Sequence, residues 1–266
     1  MKRAARFFFR YITACVLSLY TLTIGLFFRK SREVLIFICE AYGITAFSPQ
    51  RIVATLPKRS YNEIITNQRI QIDEPVGADG NVALHELAII NAIIAREKPR
   101  AIFEIGTFDG RTTINMAASS PPECRVFTLD LPAAELQKLS FEMHPYDKSL
   151  VERNSSGKRI SEGKAIIPEA AKINRLFGDS TQFDFGPYYN KCDLVFVDAA
   201  HTFDFALADS RTALKLLRDR KGVILWHDYA DGIGVVAALD AFLMENPGLG
   251  QAIHIEGTAL AYLKLA

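Results

Sequence analysis

The chain has 266 residues, of which 49% are hydrophobic and 23% charged, and its formal net charge is +1. That length and balance suit one α/β domain with an appendage and exclude a disordered chain, while the near-neutral charge excludes bulk attraction to nucleic acid. Cys15, Cys39, Cys124 and Cys192 form no CxxC pair, so neither a zinc cluster nor a disulfide framework is indicated, and buried free thiols are expected.

The N-terminus departs from the rest. Residues 11–28 carry no charged side chain; Lys2, Arg3, Arg6 and Arg10 precede them, and Arg29, Lys30 and Arg32 follow. A helix of roughly 18 residues just spans a bilayer's hydrocarbon core, so a transmembrane helix is expected. Residues 34–39 are apolar too, so membrane association through residues 7–39 as a hairpin or an interfacial segment is equally compatible, as is a helix packed on protein. The expected location is a membrane with the main domain facing the cytoplasm, or else the cytoplasm itself. Residues 1–47 form this apolar segment. Residues 48–81, with Pro49, Pro57, Pro75, Gly77 and Gly80, form a connector, and 82–266 the main domain.

Within 82–97, Leu84, Leu87, Ala88, Ile90 and Ile94 fall at helical spacing, and Lys98-Pro99 ends the helix. Strands and helices then alternate. Strands are predicted at 100–105, 125–129, 174–177, 193–197 and 222–226, and helices at 111–119, 203–217 and 234–245. A closing hairpin is predicted from 252–255 and 260–265. The pattern predicts an α/β fold: a Rossmann-like, doubly wound, mostly parallel sheet with a C-terminal antiparallel hairpin. The polar segment 131–172 interrupts the rhythm; its length suggests a functional loop, with a helix near 133–141.

Three strands end in a carboxylate, Glu104, Asp130 and Asp198, and a fourth ends in His227-Asp228. In an open α/β sheet, ligands bind beyond the strands' carboxyl ends, and packing alone does not call for a row of acids there. Gly106 permits close backbone approach, and the helix opening near Gly110-Arg111 directs free N–H groups to the same place. The loop Gly106-Thr107-Phe108-Asp109-Gly110 lacks the G-x-G-x-x-G spacing, which disfavours a dinucleotide and its pyrophosphate, and with it a nicotinamide oxidoreductase. An uncharged or zwitterionic nucleoside-like ligand fits better, with Asp130 at a suitable distance for ribose hydroxyls.

The run Phe103-Glu-Ile-Gly-Thr-Phe-Asp-Gly-Arg-Thr, with Leu194-Val-Phe-Val-Asp-Ala-Ala-His201 and Val223-Ile-Leu-Trp-His-Asp-Tyr229, resembles class I S-adenosylmethionine-dependent methyltransferases. The likeness is to the branch with small-molecule and sugar O-methyltransferases, many of them metal-dependent, and covers roughly residues 82–266. It implies S-adenosylmethionine as cofactor, with Glu104 and Gly106 at the methionine end and Thr107, Asp109 and Gly110 in the binding loop. It places Asp130 on the ribose, and Asp179 and Ser180 by the adenine. It further implies Mg²⁺ or another divalent cation on Asp198, Asp228 and His227, and His201 as general base with Asp198 beside it. At His227 some relatives carry a carboxylate instead. The implied reaction is methyl transfer to a hydroxyl of a sugar, lipid-linked or natural-product acceptor, without nucleic acid, in a domain that readily pairs as a homo-oligomer. The contrasting reading is a membrane-tethered, non-catalytic scaffold of the same fold. Among the other residues, His144 and Tyr146 are candidates to reach the acceptor. His85, His254 and Trp226 read as structural, and Lys158-Arg159 as solvated surface.

Overall fold

The computed structural model describes residues 2–28, 31, 32, 34, 35, 52–153, 156–163 and 168–266. The chain divides into two units, residues 1–51 and 52–266.

The first unit holds helix α1 (Lys2–Leu22) and a 3₁₀ turn, Ile24–Phe27. Among the described residues no helix is long and apolar enough to cross a membrane, which corrects the expected transmembrane helix. The charge-free run does not stay in one element. It shares α1 with four basic residues and then leaves the helix at Thr23, whose backbone (φ −122°, ψ −96°) is not helical. Residues 11–22 would extend about 18 Å as helix, against the roughly 30 Å of a bilayer core. Cys15 is exposed, contrary to the expectation of a buried thiol, whereas Cys124 and Cys192 are buried; Cys39 lies outside the described residues.

The second unit is a sheet of eight strands flanked by helices. In chain order its elements are β1 (Lys58–Arg59), α2 (Tyr61–Ile64), α3 (Leu84–Glu97), β2 (Ala101–Ile105), α4 (Arg111–Ser119), β3 (Arg125–Asp130), α5 (Pro145–Arg153) and α6 (Lys158–Gly163). There follow β4 (Ile173–Phe177), β5 (Leu194–Val197), α7 (Phe203–Leu216), β6 (Gly222–Trp226), α8 (Gly234–Glu245), β7 (Ile253–Ile255) and β8 (Ala261–Leu265). The strand order is β1-β7-β8-β6-β5-β2-β3-β4, parallel except where β8 runs against β6 and β7. The mostly parallel doubly wound sheet and its antiparallel pair are therefore present. Two details differ from the sequence reading. The connector supplies β1, which pairs with β7 and makes it an inner strand. The helix expected near 133–141 is a 3₁₀ turn, Ala133–Lys138, entered through Pro132.

Alternation along the strands sorts the core into two layers. Phe103, Ile105, Val195, Val197, Ile224 and Trp226 pack under α7 and α8, whereas Ile102, Leu194, Phe196, Val223 and Leu225 pack under α3 and α4. Glu104, next to Phe103, belongs by this alternation to the second face. The chain leaves β2 for β3 and β4 on one side and returns to β5 on the other, so the crevice opens between β2 and β5.

Candidate functional site

Gly106 and Asp198 set the centre of that crevice. Ile105 O accepts from Asp198 N at 2.8 Å, and Gly106 N donates to Leu129 O at 2.9 Å. Gly106 has φ +103°, and a Cβ there would lie 2.0 Å from the Asp198 carbonyl oxygen. Only glycine lets the two strand ends pass at this separation.

Glu104 lies just before the turn and is fully buried. Its cross-strand neighbour Thr128 donates to Oε2 at 2.5 Å, and Thr113 of α4 donates to the same oxygen. Oε1 is buried with no partner. Burial pushes the carboxyl up to about 8, against the pull of both threonines, and the neighbouring Asp198 and Asp130 add to the rise. Asp130 ends β3, and its Oδ1 accepts from Thr107 N at 3.1 Å and Phe108 N at 3.2 Å. Burial lifts it to about 6, although the Ser156 hydroxyl and the backbone bonds of Phe108, Thr107 and Leu131 oppose the change. Asp130 thus pins the glycine turn through Oδ1.

The remaining predicted cofactor residues are placed as follows. Thr107 is buried, with its hydroxyl 2.5 Å from that of Thr128. Gly110 (φ +92°) caps α4, and a Cβ there would lie 2.6 Å from Ile160 Cγ1. The Asp109 carboxylate is taken up by Asn81 Nδ2 (3.1 Å), Arg111 N (3.0 Å) and Arg159 Nε (2.8 Å). Asp179 is likewise engaged, by the backbone and hydroxyl of Thr181 and by Gln182, in the turn after β4; Ser180 follows it there. Neither carboxylate is directed to the crevice by these bonds. Arg159 also pairs with Glu74 at 2.9 Å, so it is a clamp rather than the solvated residue expected.

The opposite rim is a chain of carboxylates and imidazoles at the ends of β5 and β6. Asp147 of α5, buried, accepts from His201 Nδ1 at 2.7 Å and from His201 N at 3.1 Å. His201 Nε2 lies 2.6 Å from Asp228 Oδ2. The same oxygen is 3.0 Å from His227 Nδ1, which also lies 3.1 Å from Asp198 Oδ1. His227 Nε2 closes the chain on Glu86 Oε2 at 3.1 Å. Asp228 adopts φ +56°, a left-handed conformation that aspartate tolerates and that turns its carboxylate between the two rings.

Burial works against charge on His201, but hydrogen bonds to Asp147 and Asp228 outweigh it and lift the ring to about 10. His227 is raised in the same way, its burial overcome by Asp198, Asp228 and Glu86. Burial would raise Asp228 as well, yet the two histidines reverse this and hold it well below the usual carboxylate range. Asp198 is raised by burial and by Asp228, against His227. Both imidazoles therefore hold protons between carboxylates.

Asp198, His201 and Asp228 each offer one ligating atom within 4.8 Å of the others, which among the described residues is the group able to hold a metal ion. That group includes His201 and not the expected His227, whose nitrogens lie against Glu86 and the two aspartates. Sequence reasoning missed Asp147 and Glu86. Glu86 carried a faint signal: it stands three residues after the helix-entry residue Ala83, whose N–H it accepts at 3.2 Å, while Ala259 N donates to its other oxygen at 2.6 Å. Asp147 carried none.

The connector and the long insertion both press on the glycine loop. Arg111 is buried and donates to the carbonyls of Glu74 (2.6 Å), Val82 (2.8 Å) and Pro75 (3.0 Å). From the insertion, Gly157 N donates to Phe108 O at 2.6 Å and Arg159 N to Asp109 O at 2.9 Å. Tyr146 and Arg153 of α5 both bond Asp79 of the connector, at 3.0 and 3.2 Å. His144 accepts from Tyr146 N at 3.2 Å.

Residues 103–229 match a family model described as a methyltransferase domain. Among solved structures, the O-methyltransferase TomG from Streptomyces achromogenes, involved in tomaymycin synthesis and crystallised with S-adenosylmethionine, is similar. Its identity is 21%, over 74% of this chain and 92% of that one, with a TM-score of 0.51. The Podospora anserina methyltransferase PaMTH1, bound to S-adenosylhomocysteine, is similar at 18% identity over 71% of this chain and 81% of that one, also with a TM-score of 0.51. No curated protein matches the chain. Residues 103–229 are accordingly a methyltransferase domain, and the chain is built on the fold of the class I S-adenosylmethionine-dependent methyltransferases.

Proposed function

We propose that this protein moves the methyl group of S-adenosylmethionine to a hydroxyl of a small molecule, a sugar, lipid-linked or natural-product acceptor. The observation that carries the reading is the Asp147–His201–Asp228 chain standing across the crevice from the Glu104–Gly106 turn. The residues fit the cofactor: Glu104 Oε1 is a buried acceptor without a partner, suited to an ammonium, and Gly106 leaves no side chain in the way. What the cofactor supplies is an already activated methyl on a sulfonium, so the protein's work is orientation and deprotonation.

Asp147 holds the proton on His201 Nδ1 and fixes the ring, so that Nε2 is the atom available to take the acceptor's proton. In the chain alone Asp228 keeps Nε2 protonated; His201 acts as a base when Asp228 is engaged elsewhere. Asp198 and Asp228 are hard oxygen donors, and with Glu86 and Asp147 they give four carboxylates against two imidazoles. The excess negative charge suits a divalent cation such as Mg²⁺, which would lower the pKa of a bound hydroxyl. The acceptor is met by the insertion and connector, where Tyr146, His144 and Asp79 lie exposed.

A second reading, with His201 as a third cation ligand, is favoured by its place in the 4.8 Å cluster. Calorimetry with S-adenosylhomocysteine, and labelled methyl transfer to hydroxylated acceptors with and without Mg²⁺, test the proposal; failure to bind the cofactor overturns it. A His201→Gln variant that loses turnover but still binds Mg²⁺ supports the base, and one that loses Mg²⁺ binding supports the ligand.

A further inference from the structure

Helix α1 carries two opposed lines. Positions 2, 6 and 10, occupied by Lys2, Arg6 and Arg10, follow one another at a spacing of four, with position 3, Arg3, alongside. On the other side, positions 8, 12, 15, 19 and 22 hold Phe8, Ile12, Cys15, Leu19 and Leu22 at the three-and-four spacing of a helix face. Among the described residues of its unit, that second face is left exposed. Ile12 is 45% exposed, Leu19 66% and Leu22 56%, and the 3₁₀ turn that follows presents Phe27 at 84%. Among the described residues of the unit only Gly25 is buried.

Two further observations narrow what covers this face. The first 32 residues contain seven lysines and arginines and no aspartate or glutamate. The threonine hydroxyls turn inward onto the helix: Thr13 donates to Phe9 O at 2.9 Å, Thr21 to Leu17 O at 2.8 Å and Thr23 to Leu19 O at 2.7 Å. Thr13 and Thr21 stand on the side of the basic line, and bonded within the helix in this way they need no further partner when that side meets headgroups. A second copy of the same helix would oppose positive to positive, whereas an anionic lipid surface supplies both the apolar medium and the opposite charge.

We propose that α1 lies flat on an anionic bilayer, its apolar line in the acyl boundary and its basic line among the headgroups, without crossing. About 31 Å of helix then rests in the plane of the interface. The proposal is independent of the methyl-transfer reading.

The test is flotation of the full chain with vesicles of phosphatidylglycerol and phosphatidylcholine, beside vesicles of phosphatidylcholine alone. Binding is expected to the anionic vesicles and to weaken as salt rises. Lys2→Gln, Arg6→Gln and Arg10→Gln together should weaken it about 100-fold, at about 1 kcal/mol per basic residue near the surface. Ile12→Asn with Leu19→Asn should weaken it on both vesicle types while leaving the thermal unfolding of the main domain unchanged. Equal binding to neutral vesicles, no binding to either, or a complex that resists both high salt and carbonate overturns the proposal. So does loss of vesicle binding to self-association through the same face.

Discussion

The two rims of the crevice are built by different means. On the side of the glycine turn, proposed to hold the cofactor, the residues are neighbours in sequence: Glu104, Gly106, Thr107 and Thr113 fall within one strand, one turn and one helix, with Thr128 and Asp130 brought in by the adjacent strand. On the histidine side Glu86, Asp147, Asp198, His201, His227 and Asp228 come from four separate segments, α3, α5 and the ends of β5 and β6. Their electrostatics differ as well. Glu104 and Asp130 are lifted by burial toward the neutral form, whereas the histidines are held charged by carboxylates. The first rim offers hydrogen-bond acceptors that can regain a charge when a cation arrives. The second stores protons that can be exchanged for one.

Replacing one residue on each rim should separate these roles. His201→Gln removes the imidazole proposed to take the acceptor's proton, and turnover should fall by about 10³-fold with the cofactor dissociation constant unchanged, within the range for loss of a general base. Comparable loss of both would show that the rims are not independent.

Glu104→Gln is the reciprocal case. It should weaken S-adenosylhomocysteine binding by about tenfold or more, because an amide cannot answer an ammonium on Oε1, while turnover at saturation changes less. In the wild type the carboxyl titrates at about 8 in the chain alone, so it is largely protonated at pH 7. A bound ammonium favours the carboxylate, so binding releases a proton and affinity rises with pH up to about 8. Calorimetry in buffers of different ionisation enthalpy reads that proton directly. An unchanged proton count in Glu104→Gln would remove Glu104 as its source.

The contrast also explains what could be read from the residues. The strands of a parallel sheet are buried on both faces and appear as short apolar runs, so β2, β5 and β6 stand out, and the acids closing them mark the crevice. The helices at Arg111–Ser119 and Gly234–Glu245 fall where their periodicity puts them. The histidine rim is legible only at Asp198, His201, His227 and Asp228, which lie at strand ends. Asp147 sits in a polar stretch without period, and its role exists only once α5 folds back across β5. Likewise, β1 is two residues beside Pro57, too short to carry a pattern. The N-terminal run misled for a related reason: hydropathy sums over residues 11–28 without registering that the helix stops at Thr23.

Asp147→Asn probes the part of the histidine rim that sequence did not show. The amide oxygen can still accept from Nδ1, but the negative charge that favours the imidazolium is gone. Turnover should fall about 10- to 100-fold with little change in KM for the acceptor, and the acidic limb of the pH–rate profile should move to lower pH. A variant with an unmoved profile and raised KM would assign Asp147 to holding the insertion in place.

The smallest effect lies beneath both rims. Asp209 of α7 is fully buried, and burial pushes the group up to about 7 against the pull of the Ser180 hydroxyl, with Asp179 adding to the rise. An unfolded aspartate titrates near 3.9. Between these values the folded chain binds the proton and the unfolded chain does not, so stability from this group is complete below about pH 4 and is lost as pH rises through 7. Asp209→Asn keeps the shape and cannot ionise. It should leave the melting temperature nearly unchanged at pH 4.5 and raise it at pH 8, by an amount on the order of 1–2 kcal/mol in stability. The sign is the informative part. A variant less stable than the wild type at pH 8 would mean that the carboxylate is charged there and answered by a cation, which would extend the charged character of the histidine rim into the core under α7.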